Sequence, residues 1–129
     1  MARKAYPAGP TPAGAPTQRS LRVGELIRRT LSDVLLRGDI HDPELARVSV
    51  TVGEVRVSPD LRHATVHVSP LGGEGVETLV AALTRNRAEL RRAVDRAVRL
   101  KYSPDLRFVA DETYDRMDDA RRLFDDGRG

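Results

Sequence analysis

Residues Val48 to Ser69 read VSVTVGEVRVSPDLRHATVHVS. β-Branched residues dominate both halves, and Ser58-Pro59-Asp60-Leu61 interrupts them. Pro59 presets φ for the second position of a tight turn, and Ser58 can bond nearby backbone groups, so two strands folded on each other are predicted. On the return strand Ala64, Val66 and Val68 share one face, while His63, Thr65 and His67 share the other. The outgoing strand breaks its own alternation. Val48, Val50 and Val52 have one parity, and Val55 and Val57 the opposite one. A bulge at Gly53-Glu54 would bring both valine sets onto one core face. The alternative is a strand buried on both sides, which would not need the glycine at the break.

Outside the hairpin, residues 1–18 are rich in Pro, Ala and Gly without a periodic apolar face, which predicts a disordered extension. Ser20 is then a candidate N-cap. Val23, Ile27, Thr30, Leu31 and Val34 follow at helical spacing, flanked by Leu26 and Leu35, and Gly38 is a plausible stop. After the hairpin, Gly72-Gly73-Glu74-Gly75 reads as a joint into a long helical segment, Val76 to Lys101. Its apolar side is Val76, Leu79, Val80, Leu83, Leu90, Val94, Ala97 and Val98. Leu106, Phe108 and Ala110 alternate as a third strand after Pro104. Residues 112–129 form an acidic segment in which Tyr114, Met117, Ala120, Leu123 and Phe124 suggest a short helix or a tail that orders on docking. Helix, strand, strand, long helix and strand predict an α+β domain, with helices on one face of a three-stranded sheet.

The run T-x-x-x-V-x-V-S-P-D-L-x-x-A-x-V-x-V-S, Thr51 to Ser69, resembles ribosome-binding factor A of bacteria. Pro104-Asp105-Leu106-Arg107-Phe108, with Asp111 beyond it, is similar to a second family stretch. Arg22 to Leu31 followed by Asp42-Pro43 looks like its first helix and the loop after it. The likeness runs over residues 19–111 in the family's order. It implies a single KH type II-like domain, α-β-β-α-α-β, with the long helical segment broken in two. The family carries an Ala-x-Gly kink at that break, where this chain has Asn86-Arg87-Ala88. The missing glycine leaves a continuous helix as the competing reading. The G-x-x-G match at Gly72 to Gly75 lies between strand and helix, so it reads as a hinge and not as the RNA clamp of ordinary KH domains.

The chain is long enough for one modest core. It has no cysteine, which excludes disulfides, thiolate metal sites and thiol nucleophiles. No apolar run approaches a membrane span and no secretory h-region opens the sequence, so a cytoplasmic protein is the default expectation. The formal charge of +3 is unevenly spread. Residues 1–110 carry 18 basic against 12 acidic side chains, and residues 111–129 carry 4 against 7. A basic body with an acidic tail favours a polyanionic partner for the body.

On one continuous helix Arg85, Arg92, Arg96 and Arg99 would fall in a narrow sector opposite Leu90, Val94 and Ala97. Arg87 and Arg91 would flank them, and Lys101 would extend the positive end. Guanidinium groups on a rigid element can track a phosphate backbone. The bland alternative is a solvated face stabilised by Glu89–Arg92 and Asp95–Arg99 pairs. The hairpin strands lack the aromatic residues on which RRM and OB surfaces stack bases, which points to backbone contact. His63 and His67 are about 13 Å apart on a strand, too far to share a metal ion directly. No phosphate-binding loop, calcium loop or nucleophile–base pair is apparent. A non-enzymatic protein without metal or cofactor is expected.

The resemblance implies a ribosome assembly factor that binds the free small (30S) subunit, near the 3′ end of 16S rRNA and the decoding region. It implies help in late maturation, including 5′-end processing of precursor 16S rRNA and growth in the cold, by a protein that is monomeric when free. The rival reading is a small α+β interaction module that self-associates or docks a protein partner through its first helix and C-terminal segment. The face assignment is directly testable. Val66→Asp buries an unpaired carboxylate and should cost roughly 2–5 kcal/mol, with Thr65→Asp much milder. Denaturant unfolding of the two variants measures the difference, and equal effects would refute the assignment.

Overall fold

The computed structural model describes residues 16–112. Seven elements follow in chain order: α1 (Gln18–Arg37), α2 (Pro43–Ala46), β1 (Val50–Val57), β2 (His63–Pro70), α3 (Val76–Arg85), α4 (Arg87–Ala97) and β3 (Asp105–Ala110). The sheet order is β1-β2-β3, with β1 antiparallel and β3 parallel to the central strand. α1 packs on β1, α3 on β2 and β3, and α4 against both α1 and β3. The architecture is the expected KH-like α+β sandwich with one helical layer.

Sheet register follows the apolar pattern. Val52 pairs with Val68, Val55 with Val66 and Val57 with Ala64, and the ladder shifts between Val52 and Glu54. Gly53 is the extra residue of that bulge, so both valine sets reach the core. Val66 and Val68 are fully buried, while Thr65 and His67 lie half-buried on the opposite face. Across the parallel pair Leu106 lies beside Ala64 and Phe108 beside Val66, which completes the apolar layer. The bulge also depends on the end of β3. Asp111 N–H donates to Val68 O at 2.8 Å, and its carboxylate occupies the space where a Cβ on Gly53 would stand.

Ser58-Pro59-Asp60-Leu61 closes the hairpin as the pattern requires. Leu61 N–H donates to Ser58 O at 2.8 Å, and Ser58 N–H to His63 O at 2.9 Å. Leu61 takes a left-handed φ of 64°, which costs a non-glycine residue about 1–2 kcal/mol. Burial of its side chain in the core offsets that cost. The Asp60 carboxylate accepts from Ser58 Oγ at 2.6 Å and from Arg62 N–H at 3.1 Å. The hydrogen bond from Ser58 is the main reason its carboxyl titrates below the usual range.

Several boundaries differ from the sequence reading. Thr17, not Ser20, caps α1, and Ser20 acts from the third helical position in a reciprocal capping box. Ser20 N–H donates to Thr17 Oγ1 at 3.0 Å, and Thr17 N–H donates back to Ser20 Oγ at 2.8 Å. The expected extension to residue 18 therefore overran the helix start, and Thr17 and Gln18 belong to the domain. Asp42-Pro43 was expected in a loop and instead opens the single turn of α2, with Asp42 as cap and Pro43 in the first turn. The helical segment expected to reach Lys101 ends at Ala97, because Val98 turns extended and buries its side chain. Ala97 is exposed beside a groove between α1 and α4, and Ala93 takes the core position. Leu26 is also largely exposed. The helix or tail expected around Tyr114 to Phe124, and residues 1–15, lie outside the described residues.

Gly24 brings α1 onto the sheet. A Cβ there would collide with the carbonyl oxygen of Val55, a backbone atom that cannot rotate away. Alanine normally favours a helix over glycine by about 1 kcal/mol. Here Gly24→Ala should instead destabilise the fold by about 1–3 kcal/mol, as overpacking does. Urea unfolding measures it, and an unchanged or higher midpoint would show that α1 does not need this contact.

Candidate nucleic-acid interface

The helical segment does break, and Asn86 does the work without a glycine. Its backbone (φ −102°, ψ 19°) lies in the bridge region between the extended and helical wells, and it ends α3 and begins α4. Asn86 N–H is shared between Ala82 O and Leu83 O at 3.2 and 3.1 Å, and Asn86 O accepts from Leu90 N–H at 3.1 Å. The side-chain amide donates to Ala82 O and to Asp42 Oδ2, both at 2.8 Å. An asparagine thus satisfies a helix-end carbonyl and holds the break to a neighbouring element.

Asp42 is the other half of that clamp. Its side chain is almost fully buried and also accepts Glu44 N–H at 3.0 Å as the cap of α2. Arg85 meets it with Nε at 3.1 Å and Nη2 at 2.9 Å, and reaches Glu44 Oε1 at 2.8 Å. The Asn86 hydrogen bond, ahead of the Arg85 contacts, holds the Asp42 carboxyl below the usual carboxylate range against the opposing effect of burial. Glu44 and then Asp42 reinforce the charged state of Arg85. α2 and the α3–α4 junction are therefore locked together by ion pairs and hydrogen bonds.

The seven candidate RNA-binding cations separate into two groups. Arg85 is spent on Asp42 and Glu44, and Arg91 donates to Ser103 O and Pro104 O, both at 3.1 Å, while approaching Asp105 at 3.8 Å. Both position neighbouring segments. Arg87, Arg92, Arg96, Arg99 and Lys101 are exposed and enter no ion pair among the described residues. The Glu89–Arg92 and Asp95–Arg99 pairs of the bland alternative do not form. The single-helix sector is not retained, because Arg85 precedes the break and Arg99 follows the end of α4. On α4, Arg92 and Arg96 stand one turn apart on the same side, Arg87 lies in the first turn on a different side, and Arg99 and Lys101 follow in the loop after it.

Sequence reasoning allows a break at Asn86, in the apolar gap between Leu83 and Leu90, but misses Asp42 as its partner. The available signal for Asp42 was a cap-type residue before proline. Gly72, Gly73 and Gly75 all have positive φ and lie between β2 and α3, away from the α3–α4 turn. Among the described residues, no group of three or more His, Asp or Glu side chains converges as a metal site, and no helix is long and apolar enough to cross a membrane.

A KH-like domain whose two later helices meet at a polar break, with a basic second helix, is the class defined by this fold and site. The chain belongs to the ribosome-binding factor A family, whose model matches residues 19–124. Ribosome-binding factor A of Paracoccus denitrificans is 68% identical over 113 residues, spanning 88% of this chain and 82% of that protein. The crystal structure of ribosome-binding factor A from Thermus thermophilus aligns with a TM-score of 0.61 at 27% identity, covering 70% of this chain and 94% of that one. A Thermus thermophilus homology model fitted into a cryo-electron-microscopy map of a complex with the 30S subunit aligns with a TM-score of 0.59 at 28% identity. It covers 72% of this chain and 96% of that one.

The Asp42 clamp makes a pH prediction. A carboxyl whose folded pKa lies below its unfolded value contributes stability above the usual carboxylate range and loses it as pH falls through the depressed value. Asp42→Asn should destabilise the protein at neutral pH, and the gap from wild type should narrow as pH drops below the usual carboxylate range. Denaturant unfolding across acidic pH measures it. A gap independent of pH would show that the carboxylate's charge is not what secures the break.

Proposed function

We propose that this protein binds the free small (30S) ribosomal subunit as an assembly factor, holding 16S rRNA near its 3′ end and the decoding region. In this reading it assists late maturation, including 5′-end processing of the precursor, without making or breaking a bond. The observation that carries it is the set of five exposed cations, Arg87, Arg92, Arg96, Arg99 and Lys101, on and just beyond α4, which enter no ion pair among the described residues. Family membership and the 30S complex of the Thermus thermophilus relative support the same partner. α4 is held by its buried Leu90, Ala93 and Val94, by the Asp42 clamp at its start and by the anchored loop at its end. Such a mounting loses little order on binding, and guanidinium groups on it can meet successive phosphates. Binding then biases the rRNA toward the conformation that fits this surface.

A second reading, docking of a protein partner, has one observation in its favour. A largely apolar cleft of about 710 Å³ lies between the end of α1, α2 and the start of β1, beside Leu36, which is 87% exposed. Salt-insensitive association would favour this reading.

Arg92→Glu/Arg96→Glu/Arg99→Glu tests the first reading. All three side chains are exposed and enter no ion pair among the described residues, so circular dichroism should report an intact fold. Affinity for small subunits should fall, and the log–log salt slope should lose roughly 0.7–0.9 for each phosphate contact removed. A folded variant with unchanged affinity and slope would move the RNA site off this helix.

A further inference from the structure

The hairpin turn and the α4–β3 loop meet at one end of the sheet. Asp105 N–H donates to Arg62 O at 2.8 Å, and the β2–β3 ladder starts at the His63–Asp105 pair. The loop is fastened from several sides. Val98 and Pro104 are buried, and Arg91 ties down the Ser103 and Pro104 carbonyls. On this fastened loop stands Tyr102, 48% exposed and outside the hydrophobic core. The Arg62 guanidinium lies over its ring at 4.2 Å from the centroid, and the Lys101 ammonium at 5.5 Å. Arg62, Arg99 and Lys101 enter no ion pair among the described residues.

We infer that Tyr102 and Arg62 form a stacking site for an unpaired nucleobase of single-stranded RNA, with Lys101 and Arg99 placed for the phosphates on either side. The reasons are geometric and electrostatic. A half-exposed aromatic ring contributes little to core packing, and an already stacked guanidinium offers a second flat surface. Bases splayed from single strands stack on aromatic rings and on arginine planes alike. The cations around the ring favour a polyanion over a neutral or acidic-poor peptide. Two segments distant in sequence converge to make the site, and both are held by backbone hydrogen bonds, so the platform exists before RNA arrives. This inference rests on the proposed rRNA partner and goes further. It assigns a base contact, and with it a preference for unpaired RNA, to a protein whose strands carry no stacking aromatics.

The test compares full-length wild type, Tyr102→Phe and Tyr102→Leu for affinity to isolated small subunits and to a short oligoadenylate carrying a fluorescent adenine analogue. Thermal melting checks that each variant is folded. Tyr102→Phe should retain binding, and Tyr102→Leu should weaken oligonucleotide binding about 5- to 150-fold, the range for one lost base stack. The salt slope should stay as in wild type, because no charge has changed. Quenching of the analogue should appear with wild type and Tyr102→Phe and be lost with Tyr102→Leu. Equal affinity and quenching for wild type and Tyr102→Leu would overturn the stacking site, as would a Tyr102→Phe variant as weak as Tyr102→Leu. Wild type that binds subunits while Tyr102→Leu binds both RNA targets equally well sinks this inference alone. Wild type that fails to bind subunits sinks the assembly reading itself.

Discussion

The sheet face that α1 and α3 cover depends on the change of parity in β1 at Gly53. Without the extra residue, Val55 and Val57 would point away from Val52, and half of the strand would turn its apolar side to water. With it, the valines of β1 and β2 and the Leu106 and Phe108 side chains of β3 form one continuous layer. That layer is what α1 and α3 cover, and α4 then lies against α1 and β3. Two small residues permit the close approaches involved. Gly24 lets the helix backbone reach Val55, and Gly53 leaves room for the Asp111 carboxylate. Asp111 in turn caps the end of the sheet through Val68, so the last strand helps secure the irregularity in the first.

The break between α3 and α4 illustrates a different solution to a bend in a helix. A glycine reaches unusual backbone angles by lacking a side chain. Asn86 reaches the bridge region with a side chain, which then donates to a carbonyl of the helix that it ends. Its second hydrogen goes to Asp42, and Asp42 draws in Arg85. The bend therefore draws on a partly covered ionic cluster centred on one carboxylate. The same arrangement orients α4, because its first turn starts at the clamped residue.

Arginine serves two purposes along this segment, and the fold separates them. Arg85, at the end of α3, is bound to the Asp42 and Glu44 carboxylates, and Arg91, midway along α4, to the Ser103 and Pro104 carbonyls. The exposed cations on α4 and in the loop after it enter no ion pair among the described residues, and those two anchors hold the segment that carries them. Such a division gives a basic surface with defined geometry, which suits shape-matched contact with folded RNA better than a mobile basic tail would. Tyr102 and Arg62 extend this surface toward the hairpin turn.

The alternation of valines, the S-P-D-L turn and the helical spacing of apolar residues are local properties. They fixed the types of the longer elements and the buried face of the sheet, and the parity change with glycine at the break pointed to the bulge. Composition also marked the helix after the hairpin as basic. Which arginines are available was not legible, because that depends on partners 41–43 residues away for Arg85 and 12–13 away for Arg91. Asp42 and Glu44 reach Arg85 only after α2 packs against α3, and Ser103 and Pro104 reach Arg91 only once β3 has joined the sheet. The juxtaposition of Arg62 with Tyr102 has the same origin, as it requires β3 to pair with β2 in register. Periodicity reports which face of an element is apolar; long-range packing alone decides which charges on the other face are already paired.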